Sequence, residues 1–320
     1  HRDLHLSIRR QRQMCIRDSN STVIFDRTAP TLTPISIVSN NANTIYAKQG
    51  DIVTLSFSAN ENLIADPTVV FMPSTSVLNA TESGANDSWL AAFTMLSGNS
   101  EGDVDFTIDF FDLSGNAGTT VTSTTDGTAV EYDETVPTLQ NVTIASSNSD
   151  PTKAKVGDVI TLSVTAVGNI QTPVVSIASG TIANSLVVAS GVNGGAVYTF
   201  AYTMQGTDGS ASAIPFTVDF LDLANNAGLQ VTSLANDADG AVAFDKDIPI
   251  ITGVTIESSN GNRTGTTSGL GLAIVGDLIT ITIDMDELIN VADKPTVTIA
   301  DNDASVSRTN ADPAQFVATY

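Results

Sequence analysis

Residues 20–320 contain neither histidine nor cysteine; both histidines, His1 and His5, and the single cysteine, Cys15, fall in the first 19 positions. Nucleophilic triads and zinc centres need an imidazole or a thiolate as base or ligand, so those mechanisms are excluded from the rest of the chain. The lack of cysteine also removes any disulfide argument for compartment. Positive charge is scarce. Five of the 13 lysines and arginines (Arg2, Arg9, Arg10, Arg12, Arg17) and two of the 35 acids lie in those 19 residues, leaving 8 bases against 33 acids and a formal charge of −25 beyond them. Such a surface repels nucleic acid and anionic lipid and attracts divalent cations. No apolar run approaches the ~18 residues of a membrane span. Neither partner, nucleic acid or membrane, is expected.

What is present is repetition. Phe25-Asp26-Arg27-Thr28-Ala29-Pro30 returns as Tyr132-Asp133-Glu134-Thr135-Val136-Pro137 and as Phe244-Asp245-Lys246-Asp247-Ile248-Pro249. Gly50-Asp51, Gly157-Asp158 and Gly276-Asp277 each open an alternating run, and the first two lie 107 positions apart. A period that long means a tandem array of whole domains. The boundaries expected are repeat 1 at 30–136, repeat 2 at 137–248 and an incomplete repeat 3 at 249–320. Residues 20–29 read as the final strand of a missing upstream repeat with its linker. Residues 1–19 look foreign to the array: Met14-Cys15-Ile16-Arg17-Asp18-Ser19 resembles a translated transposase-end sequencing adapter, the alternative being an ordinary basic tail. Either way, no apolar core of adequate length makes a signal peptide there, and disorder is expected. Gln315-Phe316-Val317-Ala318-Thr319-Tyr320 aligns with residues 197–202 and Trp89 with Val197, which would cut the third repeat in mid-strand and leave it the least stable part.

Val53, Leu55 and Phe57, then Ile160, Leu162 and Val164, then Ile279, Ile281 and Ile283 alternate with polar residues. Period two with β-branched residues means strands with one face buried. Phe106, Ile108 and Phe110, like Phe216, Val218 and Phe220, give a second inward row, with Asp109 and Asp219 outward. Apolar content of 42% with this periodicity argues against disorder. The fold class expected is all-β: tandem antiparallel sandwiches of about seven strands, the last truncated.

The phrases GD-x-[VI]-T-L-S, P-[TV]-V-x-[IF], F-T-[IV]-D-F-x-D-L-x-x-N-A-G and [FY]-D-x-x-x-P resemble bacterial immunoglobulin-like repeats of large surface adhesins, and the resemblance covers residues 20–320. Repeat 2 departs in having Asn225 where repeat 1 has Gly115. Repeat 3 lengthens its first connection by seven residues, from 20 to 27 between Pro249 and Gly276. The resemblance implies an extracellular or cell-surface location and a role in adhesion.

For chemistry, the pairs Asp109/Asp112 and Asp219/Asp222 could in principle cleave a glycosidic bond, but positions i and i+3 of a strand face opposite sides. The glycine-rich stretch 269–276 lacks the strand–loop–helix setting of a nucleotide site and reads as an inserted loop. Calcium is the stronger candidate, since it takes several oxygen ligands and binds extracellular modules at about 10⁻⁴–10⁻³ M. In a seven-stranded sandwich, the loops after the second and sixth strands flank the incoming linker. This groups Asp26, Glu61, Asp66, Asp112 and Asn116 at repeat 1, and Asp133, Glu134 and Asp222 at repeat 2. At repeat 3 it groups Asp245, Asp247, Asp286 and Glu287, with Asp284 and Asp293 nearby. The loop 167–171 has no acid, so the second site should be weakest or missing. Asn236-Asp237-Ala238-Asp239-Gly240 resembles part of a calcium loop without its distal Glu. Against metal stands the Asx-turn, in which an aspartate caps its own backbone; for Asp112 and Asp222 both readings stay open. Phe25, Tyr132 and Phe244 are expected to pack into domain ends, and Trp89 to belong to a core or edge rather than a sugar platform.

Three roles follow: a spacer holding a distal binding domain off a bacterial surface, with calcium stiffening the proline-containing junctions; a glycan- or protein-binding module using loops 82–89 or 261–272; or repeats that accompany a secreted enzyme.

Overall fold

The computed structural model describes residues 25–72, 76–83, 88–178, 180–182, 187–188, 197–234, 240–260, 273–289, 294–310 and 312–320. The leader 1–19, the strand proposed over 20–24, Asp293, the segment 236–239 and most of loops 82–89 and 261–272 lie outside them. Among the described residues there is no helix, and none long and apolar enough to cross a membrane. The chain divides into two compact units: one through Ala154 plus Asp158–Met204 and Ala213–Val242, the other Lys155–Gly157, Gln205–Ser212 and Ala243–Tyr320.

The larger unit begins with β1 (Leu32–Ser39), β2 (Tyr46–Ala47), β3 (Ile52–Ala59), β4 (Thr68–Phe71), β5 (Ser76–Asn79), β6 (Thr81–Glu82), β7 (Ser88–Thr94), β8 (Gly102–Asp103), β9 (Phe106–Asp109) and β10 (Glu131–Tyr132). They form one sheet in the order β1-β3-β7-β6, a second, β5-β4-β9, and a short third, β2-β10-β8. The alternation read from the sequence is the packing pattern. Val53, Leu55 and Phe57 on β3 and Trp89, Ala91 and Phe93 on β7 are buried against Val69, Phe71, Phe106 and Ile108 of the opposite sheet. Phe71 and Phe93 stack across the gap at 5.5 Å between ring centres. Each such side chain contributes about 1.5–3 kcal/mol. Parallel pairing of β10 with β2 then draws Tyr132, wholly buried, into the end of the same core.

The pattern repeats in β11 (Thr138–Ser146), β12 (Lys153–Ala154), β13 (Val159–Val167), β14 (Val174–Ile177), β15 (Gly180–Ile182), β16 (Val187–Val188), β17 (Val197–Thr203) and β18 (Phe216–Asp219), with sheets β11-β13-β17-β16 and β15-β14-β18. The architecture is that of tandem immunoglobulin-like antiparallel sandwiches. One alignment needs correction. Trp89 faces Phe57 in the β3–β7 register as Tyr198 faces Val164 in β13–β17, so Trp89 corresponds to Tyr198 and not to Val197. A one-residue slip would turn a strand's apolar set outward, and Trp89, at 7% exposure, is core.

The smaller unit holds β19 (Ala243–Phe244), β20 (Ile251–Ser258), β21 (Ile279–Met285), β22 (Thr298–Ile299), β23 (Asn302–Asp303), β24 (Ser305–Arg308) and β25 (Gln315–Thr319). Its main sheet, β20-β21-β25-β24, has the same order as the other two, but its buried cluster is only Ile283, Val306, Phe316 and Ala318. Val254 and Ile256 on β20 are 59% and 64% exposed, where the corresponding Ile35 and Ile37 of β1 are 1% and 2%.

Candidate functional site

The site lies where each linker enters the next sandwich. At repeat 1, Asp26 folds the linker by accepting the Thr28 N–H at 2.9 Å, an Asx-turn. The loop after β3 is tied to the start of β1 through Asn60, whose Oδ1 accepts the Thr31 N–H at 2.7 Å; Glu61 follows it. Beyond β9, Asp112 organises a tight turn. Its Oδ1 accepts the Ser114 and Asn116 amides, each at 2.8 Å, and its Oδ2 accepts the Asn116 side chain at 2.7 Å.

This brings Asp26, Glu61 and Asp112 together, with one oxygen of each within 4.8 Å of the others. Two oxygens on opposite sides of a calcium ion, each at about 2.4 Å, are separated by that distance. Burial works against the Asp112 charge, but the side-chain and backbone donors of Asn116, Ser114 and Gly115 hold its carboxyl below the usual range. Glu61 goes the other way: burial raises it first, then the charges of Asp26 and Asp112. Three carboxylates therefore repel one another across a gap of cation size.

Two expected members take other places. Asn116 is a donor here, its Nδ2 directed to Asp112 and, at 3.4 Å each, to the carbonyls of Asp26 and Thr28. It clamps the linker rather than offering an oxygen. Asp66 stands exposed before β4 and is not among the converging acids. Phe25, expected to pack into a domain end, is 82% exposed with Arg27 over its ring.

At repeat 2 the same scaffold carries different chemistry. Asp133 caps Thr135 at 2.9 Å, and Asp222 accepts the Asn226 amide at 2.8 Å and its side chain at 2.9 Å. Asn226 Nδ2 also donates to the Asp133 carbonyl at 2.8 Å, repeating the clamp. Burial, then the charges of Asp222, Glu101 and Glu131, push the Asp133 carboxyl up against the Thr135 hydrogen bond. The position of Glu61 is taken by Gly168, at φ 82°. Glu134 is not at this pole, contrary to the sequence reading. It accepts the Tyr132 hydroxyl at 2.8 Å and the Gly98 amide at 3.3 Å, turning to the opposite end of repeat 1, where a buried phenol needs an acceptor. In place of the acid, Gln171 donates to the Asp222 carbonyl at 2.7 Å and to Asn225 Oδ1 at 2.8 Å.

In the smaller unit, burial raises Glu287 first, followed by Asp245, Asp286 and Asp247. Asp247 donates its amide to Asp245 at 2.9 Å. Asp286 accepts the Ile250 N–H at 2.7 Å, the task Asn60 performs in repeat 1, so its Oδ1 serves the strand start.

The Asn-Ala-Gly phrase has a steric cause. A Cβ on Gly118 would lie 2.3 Å from the Phe110 ring, and one on Gly228 2.2 Å from Phe220. Gly115 and Asn225 occupy the left-handed region at φ 86° and 66°, which asparagine tolerates. Sequence reading missed a contact that joins the repeats: Asn225 of the second turn meets Asn41 and Lys48 of repeat 1. Its signal was the phrase Ser39-Asn40-Asn41, written again as Ser146-Ser147-Asn148 and Ser258-Ser259-Asn260 ahead of each Gly-Asp.

Among solved structures, the chain is similar to an E-to-A variant of the three-domain titin fragment I67–I69 (TM-score 0.43, 8% identity, 92% of this chain and 88% of that one). It is also similar to the I-band fragment I67–I69 from titin (0.41, 9%, 92% and 88%) and to bovine butyrophilin (0.28, 11%, 64% and 100%). No protein-family model and no curated protein matches the chain.

Proposed function

We propose that the chain is a non-catalytic spacer segment of a bacterial cell-surface or secreted adhesin, stiffened by calcium at its linker-facing poles. The convergence of Asp26, Glu61 and Asp112 on one gap carries the reading. Two of these acids belong to the sandwich and one to the incoming linker, so an ion bound to all three would fix the linker to the domain. It would also relieve the repulsion from Asp26 and Asp112 that, after burial, raises Glu61. The residues that would hold it are those three, with linker carbonyls and water completing the six to eight oxygens calcium takes. At the smaller unit, Asp245 and Glu287 are the corresponding pair. Absence of histidine and cysteine beyond residue 19 supports a mechanical role over catalysis.

Small-angle scattering of the chain in millimolar calcium and in chelator tests this. A narrower distance distribution in calcium is expected, and superimposable profiles would contradict it.

A further inference from the structure

The junction of repeats 1 and 2 carries a second set of contacts, made without any acid of the candidate cation site. Asn41 is 7% exposed and every hydrogen-bonding position of its amide is used. Its Nδ2 donates to Asp51 Oδ2 at 2.6 Å and to the Ala224 carbonyl of repeat 2 at 2.8 Å. Its Oδ1 accepts the Asn43 amide at 3.0 Å and the side chain of Asn225. Lys48, whose own amide is held by Asp51 at 2.9 Å, places its Nζ 2.7 Å from the Asn225 carbonyl. The amide of Asn225 spans the junction, donating to Asn41 while Gln171 donates to its oxygen.

Half of this arrangement belongs to the sandwich itself: Asn148 donates to Asp158 at 2.8 Å in repeat 2 as Asn41 does to Asp51. The other half is particular to the turn of repeat 2. Where it has Asn225 and Gln171, repeat 1 has Gly115 and Ile64, neither of which has a side chain able to make these bonds.

We propose that the polar end of repeat 1 formed by Asn41, Lys48 and Asp51 is a docking surface for the Asn225 turn of repeat 2, a metal-independent latch that fixes the two repeats relative to each other. Lys48 and the Asn41 side chain supply donors. The turn, with Asn225 left-handed at its tip, supplies two backbone carbonyls, of Ala224 and Asn225, and one side-chain amide. The latch requires neither calcium nor a spacer role, and its test is run entirely in chelator. A chain that ignores calcium leaves it standing, and loss of the latch leaves the carboxylate reading standing.

The test is hydrogen exchange of the full chain as wild type, as Asn225→Gly and as Lys48→Met. Glycine keeps the turn, since Gly115 holds the same conformation in repeat 1, so any effect on repeat 1 must cross the junction. Exchange in segment 41–48 is expected to quicken about tenfold in Asn225→Gly, the scale of one or two lost hydrogen bonds. Exchange of the 224–226 turn is expected to quicken in Lys48→Met. Unchanged exchange across the junction in either variant would overturn the proposal, including the case in which repeat 2 alone loosens.

Discussion

The linker-facing poles of repeats 1 and 2 are one scaffold with two chemistries. Both fold the linker by an aspartate Asx-turn, both seat an aspartate in the turn beyond the penultimate long strand, and both clamp the linker carbonyls with the asparagine of Asn-Ala-Gly. Three of their differences set the chemistry. Glu61, Ile64 and Gly115 of repeat 1 stand where repeat 2 has Gly168, Gln171 and Asn225. The first set leaves three carboxylates facing one another, a liability that a bound cation would turn into a tie. The second removes one acid and supplies amides that satisfy the turn and reach the preceding repeat. These differences fall where neighbours meet, while the steric core of the turn stays fixed.

That shared core gives the largest effect. Gly118→Ala and Gly228→Ala each drive a methyl group into a buried phenylalanine ring and should cost their own repeat about 1–3 kcal/mol in chemical denaturation. A neutral result at one pole would break the claim that the scaffold is common. Next comes Glu61→Gln, which should remove most of the calcium-dependent rise in melting temperature and slightly raise stability in chelator; an unchanged calcium response would move the site elsewhere. A third difference is in pH. Glu61 is raised in the fold, so the native state holds its proton more tightly than the unfolded chain. In chelator, repeat 1 should therefore gain stability as pH falls from neutral toward the ordinary glutamate value of 4.5. Asp112, lowered, gives the opposite slope only below its ordinary 3.8. Saturating calcium should flatten the first slope, as followed by thermal melts across pH. The smallest effect is Asp66→Asn, expected to leave the calcium response intact in the same melts.

The two larger sandwiches were legible because alternation over Val53, Leu55 and Phe57, and over Ile160, Leu162 and Val164, is the burial pattern itself. The grouping of Asp26, Glu61 and Asp112 was legible because a sandwich's connectivity fixes which loops share an end. Three details were not. The partner of Trp89 depends on strand register, and a chain-position alignment missed it by one residue. Adjacent linker residues serve different repeats: the Asp133 carbonyl accepts from Asn226 of repeat 2, while the Glu134 carboxylate accepts the Tyr132 hydroxyl of repeat 1. Asparagine is donor and acceptor alike, and only the neighbours of Asn116 and Asn226 decide that each acts as a clamp.

Hydrogen exchange of the wild-type chain, compared between calcium and chelator, tests the central contrast most directly. The account predicts slowed exchange in calcium at residues 26–31, the Glu61 loop and the 112–116 turn, with the 222–226 turn unchanged. Equal slowing at both poles, or at neither, would contradict it.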